Sequence, residues 1–249
     1  MFQASFNNMK ISNYYSPNHN KKKRPVNSIK LVVIHYTGMQ SERESIKRLC
    51  NPNSKVSCHY LVSQNGKIFK LVKETHTAWH AGKSCWGKYK NLNENSIGIE
   101  LVNRGHQLGY TGFKTKQILA LVKLCKKLII RYKVKKKNIV GHSDIAPLRK
   151  KDPGEKFPWK YLSKKKIGIC HDCKSAFLTK NRKLRVIKKN DIGKFTKFLI
   201  KIGYRVPYQK KRMLFKIIKA FQRRFRNELI NGVLDQECLI IAKNLAKKL

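Results

Sequence analysis

The chain has 249 residues, too many for one minimal domain and a comfortable length for an enzyme-sized domain with a small companion. Its 57 Lys and Arg against 13 Asp and Glu give a formal net charge of +44, which attracts polyanions through a salt-sensitive field. No apolar run reaches membrane-spanning length, which argues against a span, and seven cysteines (50, 58, 85, 125, 170, 173 and 238) are an odd number that argues against a full disulfide framework and for a reducing compartment.

Residues 1–27 form an N-terminal segment containing Tyr14-Tyr15 and the basic run 21–24. It holds no apolar stretch of signal-peptide length, and no cysteine that could be lipidated precedes Cys50, so a cytoplasmic location is expected, with export to the periplasm or medium by an unrecognised route as the alternative. The apolar run 31–34 (LVVI) reads as a buried strand ending at His35. Ser41 with Glu44 makes a capping box for a helix through Cys50. Asn65-Gly66, between the segments 61–63 (LVS) and 68–69 (IF), signals a hairpin. The run 97–101 is a strand with Ile97, Ile99 and Leu101 on one face and Glu100 on the other. A longer helix starts near Thr115 and carries Ile118, Leu121, Val122, Cys125, Leu128 and Ile129 at helical spacing. A short strand at 138–141 precedes His142, and Asp152 opens an Asp-Pro-Gly turn. Residues 28–168 are therefore expected to form an α/β domain, a mixed central sheet flanked by helices, with its site at the strand ends.

Residues 161–189 hold ten Lys or Arg against one acid, Asp172, so 169–189 is expected to be a basic linker. Beyond it, 190–249 is expected to be a small three-helix domain. Ile192, Phe195, Phe198, Leu199 and Ile202 mark the first helix, Leu214, Ile217, Ile218, Phe221 and Phe225 the second, and a third follows 231–235. The lysines are spread through every segment and no nucleic-acid motif accompanies them, so a specific nucleic-acid partner is not expected; non-specific polyanion binding remains open. A monomer satisfies everything the pattern demands.

His35, His142 and Asp152 sit in contexts that suit one metal ion, because a His, His, Asp set leaves a tetrahedral zinc with an open position for chemistry. Glu100 in a strand interior needs a reason; the bland one is a salt bridge or an exposed face. Lys150 belongs to the basic run 149–151, which would by itself be a solvated loop, and only its spacing from Asp152 singles it out. His59 either orients a ligand, touches substrate or is a satisfied core histidine. Trp79 and His80 lie in a small-residue loop, 78–82 (AWHAG), suited to lining a groove. His19, His76, His106 and His171 read as surface or structural residues. Cys170 and Cys173, with His171 and Asp172 between them, imitate a metal or redox motif but lack a second cysteine pair at zinc-finger spacing, and an exposed linker segment is the default.

Five segments in order, LVVIHYTG (31–38), SCHYLVSQNGKIFKLV (57–72), AWHAG (78–82), NSIGIELVN (95–103) and GHSDIAPLRKKDPGEKFPW (141–159), resemble the zinc-dependent N-acetylmuramoyl-L-alanine amidases. That family is shared by bacterial amidases, phage lysozyme-like amidases and peptidoglycan recognition proteins. The resemblance spans roughly 28–168 and implies one Zn²⁺ held by His35, His142 and Asp152, Glu100 as the catalytic acid/base and Lys150 as the oxyanion-stabilising cation. It places 78–82 near substrate, and His59, Trp79, His80 and Asn103 are the candidates for touching it. The segments 195–204, 220–222 and 232–235 resemble the small helical peptidoglycan-binding domain often fused to such amidases. The implied function is hydrolysis of the amide between N-acetylmuramic acid and L-alanine, in peptidoglycan or in muropeptides. The alternative on the same scaffold is a non-catalytic peptidoglycan receptor. Receptors of this kind commonly lose a zinc ligand, and here every position is filled.

Overall fold

The computed structural model describes residues 10–184, 189–206 and 211–249. Eight strands are present among them: β1 (Ile11–Asn13), β2 (Leu31–Tyr36), β3 (Tyr60–Val62), β4 (Ile68–Lys70), β5 (Cys85–Trp86), β6 (Tyr89–Lys90), β7 (Ser96–Leu101) and β8 (Ile139–Gly141). β5 and β6 form a separate small hairpin, and the other six make a mixed sheet in the order β1-β4-β3-β7-β2-β8. β3 and β4 pair antiparallel, joined through Asn65-Gly66 as expected, with Gly66 at a positive φ of 89°. β2 lies parallel to both β7 and β8, in the interior of the sheet, and Leu31, Val32, Val33 and Ile34 are all fully buried.

The helices follow the apolar spacing. Ser41 caps α1 (Glu42–Cys50) by accepting from Glu44 N–H at 3.1 Å, while the Glu44 carboxylate reaches back to Gln40 N–H at 3.0 Å. α2 (Thr115–Tyr132) presses Ile118, Leu121, Cys125 and Leu128 onto the face of the sheet that carries Val32, Ile34, Ile97 and Ile99. α3 (His142–Ile145) and α4 (Trp159–Lys164) are short turns of helix after β8.

The other face of the sheet distinguishes the molecule from the expected division into separate domains. Leu31, Val33, Val140 and Ile145 share one continuous apolar core with Phe195 and Leu199 of α6 (Lys189–Ile202), Ile217 and Phe221 of α7 (Lys211–Phe225), and Ile241 and Leu245 of α8 (Gln236–Lys247). The C-terminal helices thus supply the second helical layer that an interior strand, apolar on both faces, requires. The expected linker 169–189 also has structure: α5 (Ser175–Asn181) buries Leu178 in that core, and Arg182 makes a two-pronged pair with Glu237 at 2.7 and 2.9 Å. Residues 185–188 of that stretch lie outside the described residues. The basic run misleads because a single inward leucine, Leu178, is too weak an apolar signal against it.

From residue 10 onward the N-terminal segment is likewise part of the fold. β1 extends the sheet beside β4, and Arg24, 7% exposed, donates to the carbonyls of Glu74, Asn93, Glu94 and Ser96. Among the described residues, no helix is long and apolar enough to cross a membrane.

Candidate active site

Parallel pairing sets the heart of the site. In the β2/β7 register His35 lies directly beside Glu100, so the last inward side chains of two adjacent strands emerge together at one end of the sheet. β8, on the other side of β2, runs straight into His142, and the loop that follows α3 returns to Asp152, whose carbonyl accepts from Ser143 N–H at 2.8 Å. His35, His142 and Asp152, far apart along the chain, therefore converge. His35 Nδ1 is 2.9 Å from His142 Nδ1 and 3.0 Å from Asp152 Oδ2, and His142 Nδ1 is 3.1 Å from the same oxygen. All three residues are buried.

Hydrogen bonds around the triangle decide what those three atoms carry. Ser96 donates its hydroxyl proton to the Leu92 carbonyl, so its oxygen accepts from His80 Nε2 at 3.2 Å. His80 Nδ1 is then an acceptor, 3.0 Å from His35 Nε2, which must carry the proton. His142 Nε2 faces the Ala81 carbonyl at 3.1 Å and must carry one too. Both Nδ1 atoms are left with lone pairs, facing each other and a carboxylate oxygen with no proton between them. Such a triangle is repulsive until a cation fills it. A tetrahedral zinc with bonds of about 2.0 to 2.1 Å has ligand-to-ligand edges of about 3.3 Å, close to the edges found. The residues fit a divalent ion of zinc's preferences. The outer partners, Ser96 with His80 on one side and Ala81 on the other, are the supports that metal-binding histidines ordinarily have.

Burial, reinforced by the neighbouring His142, carries the His35 imidazole down to about 4. Burial by itself would raise Asp152, but His142 and His35 outweigh it and hold the carboxyl well below the usual range. Both are therefore in the ligand-competent form near neutral pH. Glu100 is shifted the other way. Burial, then the Asp152 charge, push its carboxyl well above the ordinary value, and Lys150 opposes them. Glu100 Oε2 is buried without a hydrogen-bond partner among the described residues. An unpartnered buried polar atom costs about 1 to 3 kcal/mol.

These groups line a cleft of about 450 Å³, with Glu100, Lys150, His35, His142, Asp152, Trp79 and His80 on its walls. Trp79 is half-buried, its indole N–H held by Asn20 Oδ1 at 2.8 Å, which leaves the ring as a wall. His59 and Asn103 are not brought there. His59 is fully buried, accepting from Gly98 N–H at Nδ1 and meeting the His76 carbonyl at Nε2. Asn103, 1% exposed, ties its own loop together by donating to the Thr111 carbonyl and accepting from Gly105 N–H. Neither offers a free polar atom to a ligand. Two groups passed over in the sequence do reach the cleft. Arg149, read as part of a solvated run, lays its guanidinium on the Ala81 and Lys83 carbonyls, 3.4 Å from His142 Nε2. His106, read as a surface or structural residue, stacks on Tyr110 and bridges Tyr36 OH to Glu155 at 2.8 and 3.1 Å. No spacing marks either one, because the partners come from distant loops.

Residues 25–155 match the N-acetylmuramoyl-L-alanine amidase family. The chain is 41% identical over 234 residues to the N-acetylmuramoyl-L-alanine amidase AmiD of Escherichia coli K12, a match covering 88% of this chain and 83% of that one. The structure resembles that of E. coli AmiD in complex with the substrate anhydro-N-acetylmuramic acid-L-Ala-D-γ-Glu-L-Lys, with a TM-score of 0.79, 38% identity and 92% of each chain covered. It resembles AmpDh3 of Pseudomonas aeruginosa in complex with anhydromuramic pentapeptide, with a TM-score of 0.78, 31% identity, and 100% of this chain and 99% of that one covered. With the fold, the His-His-Asp cluster and these likenesses in agreement, the chain belongs to the N-acetylmuramoyl-L-alanine amidase family and is an enzyme of that class.

Proposed function

We propose that this enzyme hydrolyses the amide between the lactyl group of N-acetylmuramic acid and L-alanine, using one zinc ion held by His35, His142 and Asp152. The observation that carries the reading is the triangle of lone pairs, an unpartnered Glu100 oxygen and a lysine, all lining one cleft. When bound, zinc supplies Lewis acidity toward the scissile carbonyl and the attacking water. Glu100, its affinity for a proton raised by burial, takes the proton from that water and delivers it to the leaving L-alanine nitrogen. Lys150 brings positive charge to the oxygen on which negative charge develops. His80 and the Ala81 carbonyl hold the two imidazoles in the required tautomer, and Trp79 offers a flat apolar wall to the glycopeptide. Soluble muropeptides are the favoured substrate class, because the two similar structures are complexes with anhydromuramyl peptides.

Glu100→Gln tests the assignment, since it keeps the shape and removes the base. Mass spectrometry of digested muropeptides, with metal analysis of the same samples, is expected to show parental zinc content and turnover reduced by at least about 100-fold. Free stem peptide should also vanish from the parent's digest on chelation. Near-parental turnover by Glu100→Gln would remove Glu100 from the mechanism.

A further inference from the structure

α7 runs beside the loop that bears His142, Lys150 and Asp152, and its polar side chains bind that loop along its length. Lys216 Nζ donates to the Leu148 carbonyl at 3.0 Å, and Asn227, just beyond the helix, donates to the Glu155 carbonyl at 3.0 Å. Between them, the Arg224 guanidinium lies 4.1 Å from the Trp159 ring centroid, pairs with Asp144, and donates to the Ile139 carbonyl at 2.9 Å. Asp144 is the hub. One carboxylate oxygen accepts from Gly141 N–H at 2.7 Å, immediately before His142, and the other from Tyr204 OH at 2.6 Å. The Arg224 and Asp144 side chains are each only 1% exposed.

A buried ion pair is weak evidence for stability, because desolvating both charges offsets their attraction. Its distinctive contribution is geometric. Four directional bonds onto one carboxylate and one strand carbonyl fix the backbone corner from which His142 projects, and metal ligands tolerate little displacement. We propose that α7 is a splint for the metal-ligand loop, and that Arg224 and Tyr204 are positioning residues for His142, acting through Asp144. This rests on the zinc reading above. It assigns the C-terminal helices a part in the chemistry, apart from any hold they have on the cell wall.

Tyr204→Phe deletes one hydroxyl, and Arg224→Lys keeps the charge but loses the planar fork that spans Asp144 and Ile139. Ile241→Val, which trims the helical core and alters none of these hydrogen-bonding groups, serves as the control for simple loss of stability. Zinc affinity is measured by chelator competition, kcat and KM on an N-acetylmuramoyl-L-alanyl peptide, and the melting temperature on the same samples. Arg224→Lys and Tyr204→Phe are expected to lose about tenfold in zinc affinity or kcat with KM nearly unchanged, whereas Ile241→Val melts lower and keeps both. Parental zinc affinity and kcat in both variants would overturn the proposal, as would losses that simply track melting temperature across all three. A parent that neither binds zinc nor cleaves would overturn the amidase reading itself and this proposal with it.

Discussion

Gly98 lacks a side chain because the His80 ring occupies the space one would need. A Cβ added there would lie 2.6 Å from His80 Cδ2 and 2.7 Å from its Nδ1, closer than packed atoms approach. His80 cannot yield without releasing His35 Nε2, and with it the tautomer that would present His35 Nδ1 to the proposed metal. Gly98→Ala is therefore expected to cost about 1 to 3 kcal/mol of stability through overpacking. It should also weaken zinc binding by about tenfold or more, since the lost contact supports a ligand. Chelator competition and urea unfolding read the two effects separately, and an unchanged zinc affinity would mean that His80 does not orient His35. His59 makes a different residue-scale case. Burial, reinforced by the Arg24 charge, holds its imidazole well below the ordinary 6.5, and a second ring proton would confront Gly98 N–H. The folded state thus stays unprotonated at His59 where the unfolded chain takes up a proton. Stability from this site is fully present above about pH 6.5 and falls as pH drops toward the depressed folded value. The melting temperature of metal-free protein should decline between pH 7 and pH 5, and His59→Gln should flatten that decline. A slope identical in the variant would assign the acid sensitivity to other groups.

At the scale of elements, what was legible is what repeats. The β2 and β7 runs, the hairpin at Asn65-Gly66 and the apolar stripe of α2 obey strand or helix periods, and each forms where that period places it. The three residues expected at a metal were legible through the motifs around them, and they do meet. Register was not legible: nothing in either strand alone says that His35 will sit beside Glu100 and not beside Gly98 or Val102, because register is set by pairing across the sheet. Neither local sequence tells the roles of His59 and His80 apart, yet one is a core brace for a backbone N–H and the other holds the His35 ring. Only Gly98, beside His59 and beneath His80, separates their roles. α5 escaped notice because seven residues with one inward leucine make too short a stripe against a basic background. Arg24 escaped for a similar reason. A basic run predicts solvent for all its members, while the last of this one is stitched to four carbonyls.

The whole molecule is governed by how the sheet's second face is covered. α2 closes one face, and α6, α7 and α8 close the other through a core they share with Leu31, Val33, Val140 and Ile145. Had the C-terminal helices formed an autonomous domain on a basic tether, each part would bury its own apolar surface and unfold independently. Here the strand that presents His35 is buried partly by Phe195, Phe221 and their neighbours, so melting the helices would expose the back of the site. Coupled cores of this kind unfold together. Calorimetry of the full chain is accordingly expected to show one transition whose calorimetric and van't Hoff enthalpies agree. A chain truncated after residue 168 should lose that transition and expose an apolar face prone to association, because Phe195, Leu199, Ile217 and Phe221 no longer complete the core around Leu31, Val33 and Val140. Two resolved transitions, or a truncated chain that melts cooperatively near the parental temperature, would show that the helices are a detachable module and that the sheet needs only one helical layer.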